Sequence, residues 1–126
     1  KHLPTYNPQG LVELDKPLMI DLKNHKYSGY NKNSKTICER KNTNYPTDIL
    51  RYGRDKAKGS LHPTQKPVAL LEYLIKTYTN EGDTVLDNCM GSGSTGVACQ
   101  NTNREFIGME LDEKYFQIAC DRLGVV

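Results

Sequence analysis

The sequence predicts an α/β fold: parallel strands flanked by helices, preceded by an irregular basic region. Three observations predict it. Apolar residues recur at helical spacing in 68–78 and again in 116–123. Short apolar runs at 84–87 and 104–110 alternate with those segments. A glycine-rich turn, Gly91-Ser-Gly-Ser-Thr-Gly96, lies between the first of these runs and the next helical segment. The resulting order, helix–strand–helix–strand–helix, implies a parallel pair joined by a right-handed crossover. There is no internal repeat.

Each element has its own warrant. The first helix carries apolar residues at 68, 71, 74, 75 and 78, and Pro67 suits its first turn, where a missing N–H is no loss. Asn80-Glu81-Gly82 ends it. Thr84 to Asp87 is a short strand, and the loop 90–96 leads into a helix from Ser94 to Gln100, with Val97 and Ala98 towards the sheet. Arg104 to Glu110 is the second strand. Asp112 then caps a helix from Glu113 to Leu123, with Phe116, Ala119 and Leu123 on one face. Residues 1–60 are punctuated by prolines and glycines and read mostly as loops, with a short strand near 35–38. The expected organisation is thus 1–60 and 61–126.

At 126 residues and 14.3 kDa, the chain is one domain or less. No run approaches the roughly 18 apolar residues of a membrane helix, and the start has no apolar stretch of a signal peptide. Lys1 in place of Met is expected of a fragment or a processed product. Cys38, Cys89, Cys99 and Cys120 form no CxxC pair and read as reduced thiols of a cytoplasmic protein. The net charge of +2 conceals a division: residues 1–66 hold thirteen Lys and Arg against six Asp and Glu, and residues 67–126 hold four against nine. A basic arm of this kind suits a polyanion, although a solvated lysine-rich loop would look the same. Within it, Tyr27 and Tyr30 sit among Lys23, Lys26, Lys32 and Lys35, a mixture suited to stacking on bases and holding phosphates. The alternative is that the tyrosines pin a loop to the body.

Gly91 to Gly96 formally matches GxGxxG between strand and helix, where backbone and helix N–H groups can approach a ligand. Glu110, nineteen residues beyond Gly91, ends the next strand, where a carboxylate can accept from both ribose hydroxyls. A nucleoside-containing ligand is expected. A dinucleotide fits poorly, because Asp87 and the spacer Asn88-Cys89-Met90 stand where a pyrophosphate would need the helix end. Beside an ammonium and a sulfonium, Asp87 is attractive; a purely structural role in the loop is the other reading. Upstream, His62-Pro-Thr-Gln-Lys-Pro67 supplies Thr64 and Lys66, which could hold a carboxylate, whereas His62 alone is as well read as a turn residue. Ammonium, carboxylate, sulfonium and adenosine together describe S-adenosylmethionine.

On these residues the chain resembles the C-terminal part of a DNA amino-methyltransferase of the beta circular order, the class that methylates adenine N6 or cytosine N4. Thr5 to Gln9 resembles a segment before the recognition region, and Tyr45-Pro-Thr-Asp48-Ile49-Leu50 resembles a stretch running beside the cofactor. His62 to Pro67 resembles the motif at the methionine end, Asp87 to Thr95 the central cofactor loop, and Phe106 to Asp112, followed by Tyr115, the ribose-binding strand. The resemblance implies a partial Rossmann-like methyltransferase fold. It implies cofactor contacts at Asp48, Ile49, His62, Thr64, Lys66, Pro67, Asp87, Asn88, Cys89, Met90, Gly91, Ser92, Gly93, Glu110 and Leu111. It also implies double-stranded DNA as partner, with Lys23, Lys26, Tyr27, Tyr30, Lys32 and Lys35 facing it.

Asn88-Cys89 departs from the Pro-Phe common in the family, which is expected to alter packing near the adenine. A larger departure is that no Asp/Asn-Pro-Pro-aromatic tetrapeptide, the family's methyl-transfer site, occurs; Asn7-Pro8-Gln9 lacks the second proline and the aromatic. In the beta order it would lie upstream of Lys1. The expectation is therefore a methyltransferase portion without catalytic residues of its own, whose strand 84–87 needs an N-terminal portion or self-association to cover an apolar edge. The alternatives are an inactive cofactor- or DNA-binding remnant and, on GxGxxG alone, a nicotinamide-dependent oxidoreductase. No metal is expected.

Overall fold

The computed structural model describes residues 3–21, 37–46, 49–53 and 61–125. The chain forms two compact units, Gly10–Pro46 and a larger one made of Lys1–Gln9 with Thr47–Val126. The smaller unit holds β1 (Val12–Asp21) and β2 (Ile37–Thr43), paired antiparallel. The larger holds α1 (Val68–Tyr78), β3 (Thr84–Asp87), α2 (Ser94–Asn101), β4 (Glu105–Gly108) and α3 (Glu113–Leu123).

β1 corrects the expectation of loops, while β2 overlaps the short strand expected near 35–38 and runs on to Thr43. Their pairing escapes a local reading because Val12-Glu-Leu-Asp-Lys-Pro-Leu-Met has neither clean alternation nor a Pro-free run. The ladder accommodates Pro17 by an irregularity: register shifts between Glu13, opposite Asn42, and Leu18, opposite Arg40. At the Val12–Thr43 end, the Asn44 side chain donates to Gly10 O at 2.6 Å, and the Arg40 guanidinium lies 4.7 Å from the Tyr45 ring centre. The two units divide the chain at residues 9/10 and 46/47.

In the larger unit, local sequence and structure agree closely. β3 and β4 are parallel, with Thr84 opposite Glu105 and Asp87 opposite Gly108. Ile75, Ala98 and Cys99 form the buried centre, and Val68, Leu71, Val85 and Phe106 pack on it. Burial raises the Cys99 thiol pKa above its ordinary value, so this cysteine packs as a small apolar group. Asp112 caps α3 by accepting from Tyr115 N at 3.1 Å. Gly124, left-handed with φ 68°, closes its other end.

Three details differ from the periodic reading. Pro67 is extended (φ −61°, ψ 130°) and stands just before the helix as its N-cap, not in the first turn. At the far end of α1, Thr77 is buried, with its hydroxyl bonded to Tyr73 O, while Tyr78 is exposed beside the Tyr6 ring. On α3, Ala119 is fully buried but Phe116 remains 44% exposed. The opposite sheet face is also open: Leu86 and Ile107, directly opposite one another in the ladder, are 60% and 51% exposed. Among the described residues β3 pairs with β4 alone, so its other edge is unpaired.

Candidate functional site

Two segments far apart in sequence meet at a cavity of about 360 Å³ in the larger unit. One wall is the turn before α1, from His62, Thr64, Gln65 and Lys66. The other is the loop between β3 and α2, from Asp87, Cys89, Met90, Gly91, Ser92, Ser94 and Thr95, and Leu71 adds an apolar contribution.

The turn is held by its own polar groups. Gln65 N donates to His62 O at 3.1 Å, Leu61 N donates to Gln65 Oε1 at 3.0 Å, and Thr64 N donates to His62 Nδ1 at 3.2 Å. The His62 ring meets Tyr115 of α3 edge-on, with centres 4.2 Å apart. A Cβ added to Gly91 would lie 3.5 Å from that ring. That is an ordinary contact distance, so what calls for glycine at Gly91 is its φ of 53°, the left-handed bend of the loop.

Asp87 is anchored twice: Oδ2 accepts from Thr95 Oγ1 at 2.6 Å, and Oδ1 accepts from Cys89 N at 3.1 Å. The structural role considered for it in the loop is thus present, while its side of the cavity remains lined by the residue. Glu110 is bound in a similar way. Its Oε1 accepts from Asp112 N at 2.9 Å and its Oε2 from Gly91 N at 2.8 Å. These backbone donors, Asp112 first and then Gly91, hold the Glu110 carboxyl below its ordinary pKa. Glu110 does not itself line the cavity but is bonded to Gly91, which does.

Of the expected cofactor residues, the cavity gathers His62, Thr64, Lys66, Asp87, Cys89, Met90, Gly91 and Ser92. Pro67 caps α1, and Asn88 is exposed without lining the cavity. Gly93 faces away from the cavity: with φ 74°, it leaves only 3.0 Å between an added Cβ and Ala119 Cβ. Leu111 is fully exposed and Ile49 largely so, neither lining the cavity. Asp48 lies outside the described residues, as do Lys23, Lys26, Tyr27, Tyr30, Lys32 and Lys35. Among the described residues no cluster of His, Cys, Asp and Glu could hold a metal, and no helix is long and apolar enough to cross a membrane.

Sequence reasoning missed two arginines. From the last turn of α3, Arg122 Nη1 donates to Ser92 O at 3.1 Å and Ser94 Oγ at 3.0 Å, with Ser92 Oγ at 3.5 Å. Arg104 donates to Thr79 Oγ1 at 3.0 Å and Thr79 O at 2.9 Å, closing the end of α1, and also to Thr102 O. The one available signal was their rarity, two of four cations in residues 67–126.

A family model described as DNA methylase, of the N6/N4 class, matches residues 6–121. The type II methyltransferase M2.DpnII of Streptococcus pneumoniae is 50% identical over 62 residues, 49% of this chain and 23% of that protein. M.HpaI of Haemophilus parainfluenzae is 47% identical over 62 residues, 49% of this chain and 20% of that protein. The matches thus span less than a quarter of these curated relatives. Among solved structures, M1.HpyAVI in complex with SAM is 42% identical with a TM-score of 0.54, covering 64% of this chain and 43% of that one. The cytosine-N4-specific PvuII DNA methyltransferase is 25% identical with a TM-score of 0.57, covering 61% and 31%. The expected α/β methyltransferase fold is shared with these neighbours. The chain belongs to the N6/N4 DNA methylase family.

Proposed function

We propose that this chain forms the cofactor-binding and target-facing portion of a DNA methyltransferase that moves a methyl group from S-adenosylmethionine to adenine N6 or cytosine N4. The observation that carries this is the cavity between the His62–Lys66 turn and the Asp87–Thr95 loop. Its donor set fits the ligand. Asp87 is a carboxylate with lone pairs to spare after two bonds, suited to an ammonium, and Lys66 and Thr64 suit a carboxylate. Glu110, already oriented by Gly91 and Asp112, retains acceptor capacity for ribose hydroxyls. When bound, S-adenosylmethionine supplies a methyl group on a good leaving group. The residues here hold and orient it, and positioning supplies most of the rate.

No residue of the chain is assigned a catalytic role. We infer that the base-accepting tetrapeptide, absent from this sequence, comes from an N-terminal portion outside the chain. The exposed Leu86–Ile107 face and the unpaired β3 edge support a missing neighbour or self-association. A monodisperse 14.3 kDa monomer in sedimentation, unfolding cooperatively, would count against this. The basic 1–60 region is assigned to double-stranded DNA and 61–126 to the cofactor, in a protein of the cytoplasm.

Calorimetry with S-adenosylhomocysteine, using NAD as control, tests the cofactor assignment. Binding of NAD alone would overturn it. Tritiated methyl transfer to unmethylated DNA by the 126-residue chain alone would show that the accepting site lies within it. Its absence, with cofactor binding intact, is expected both of a portion needing its other half and of a binding remnant. Restoration of transfer by a supplied N-terminal half separates the two.

A further inference from the structure

Helix α3 touches both walls of the cavity. Tyr115 meets the His62 ring in the turn before α1, and Arg122 binds Ser92 and Ser94 in the loop after β3. Between those serines Gly93 packs against Ala119 of the same helix. Ser92 and Ser94 are nearly inaccessible, at 3% and 6% exposure, so the Ser92 carbonyl and the Ser94 hydroxyl depend on protein donors.

Arg122 is an unexpected donor there. It is a cation close to the first residue of α2, where a helix dipole disfavours positive charge. It is partly exposed, and among the described residues it makes no ion pair. Stabilisation of α2 therefore does not explain it. Its bonds to Ser92 and Ser94 all run from one nitrogen, Nη1, which the planar guanidinium aims in a fixed direction at both residues. Its own position is favourable at the C-terminal turn of α3.

We propose that Arg122 is a positioning residue for the cofactor: by binding Ser92 and Ser94 it sets the shape of the loop that lines the cavity. This rests on the S-adenosylmethionine reading above. Arg122 does not line the cavity and acts through the loop.

The test compares the 126-residue chain with Arg122→Met, Arg122→Lys and Ser94→Ala by two readouts. In amide hydrogen exchange, Arg122→Met should accelerate the amides of residues 92–95 about tenfold, the loss of one charged hydrogen bond, with β3 and β4 amides unchanged. In calorimetry, S-adenosylhomocysteine affinity should fall by about tenfold, with Arg122→Lys intermediate. Ser94→Ala should weaken binding less, and its effect should largely vanish in the Arg122→Met background. Uniform acceleration across the unit, or a loosened loop with parental affinity, would overturn the proposal. If Arg122→Met does not fold, Arg122→Lys and Ser94→Ala carry the same readouts. A parent chain that binds no S-adenosylhomocysteine, yet shows local loosening on substitution, would remove the cofactor reading while leaving Arg122 as the residue that shapes the loop.

Discussion

Gly91 and Glu110 are joined across the glycine loop: the Gly91 backbone N–H donates to Glu110 Oε2 at 2.8 Å. β4 stops at Gly108, short of the strand expected to run to Glu110, and this side chain two residues beyond it holds the backbone of a loop nineteen residues earlier, while Asp112 N secures its other oxygen. The carboxylate is oriented before any ligand arrives, which lowers the ordering cost of binding.

This arrangement sets a pH dependence. Glu110 is held below its ordinary pKa by the N–H groups of Asp112 and Gly91. Its contribution is therefore complete above the unfolded-state value and is lost as pH falls through the lower folded value. Cofactor affinity should stay level as pH is lowered into the ordinary carboxylate range and drop only below it. Glu110→Gln, which is neutral and puts an NH2 donor in place of one acceptor oxygen, should bind about tenfold more weakly at neutral pH. Titration calorimetry across acid pH checks both; a Glu110→Gln affinity equal to the parent would remove Glu110 from the site.

Asp87 and Thr95 form the second brace of the loop, at 2.6 Å. Thr95→Val deletes the donor and keeps the shape. It should lower unfolding free energy by about 1 kcal/mol in urea titration, the usual loss for one hydrogen bond. It should also free Asp87 to move, weakening S-adenosylhomocysteine binding. Parental stability together with parental affinity would show the bond to be incidental.

Asn7 docks the N-terminal segment on the end of α1. Its N–H donates to Thr77 O at 2.6 Å, and its side-chain amide donates to Thr79 O at 3.1 Å and Asn80 Oδ1 at 3.3 Å. Asn7→Ala should cost about 1–2 kcal/mol of stability and make the peptide bonds near residues 3–9 more sensitive to limited proteolysis. An unchanged cleavage pattern would contradict the docking role.

The basic region gives a salt test. Replacing Lys23, Lys26, Lys32 and Lys35 together by Gln should flatten the dependence of DNA affinity on salt concentration if they contact phosphates. Fluorescence anisotropy on duplex DNA at several ionic strengths measures the slope. A slope equal to the parent's would make these lysines a solvated face.

Much of the larger unit was legible because its signals are local. Asp112 before Glu113, Asn80-Glu-Gly after α1, and Gly-rich residues between β3 and α2 fix element ends through backbone chemistry that a few neighbouring residues supply. Tyr78 and Phe116, both expected on buried faces, are exposed for the opposite reason. Helical spacing gives a face but not what covers it, and here the docked segment around Asn7 changes the surroundings of the α1 end.

By itself, the sequence determined the α/β order, the capping of α3, and the residue types able to meet an adenosyl ligand, since these depend on spacing along one stretch of chain. Only the tertiary structure decided that the His62–Lys66 turn faces the Asp87 loop, that Glu110 accepts from Gly91 N, and that β1 finds β2 across Pro17. Those are contacts between segments distant in sequence. Their energy depends on direction and distance, within a few tenths of an ångström for a hydrogen bond, and residue identity alone does not fix either.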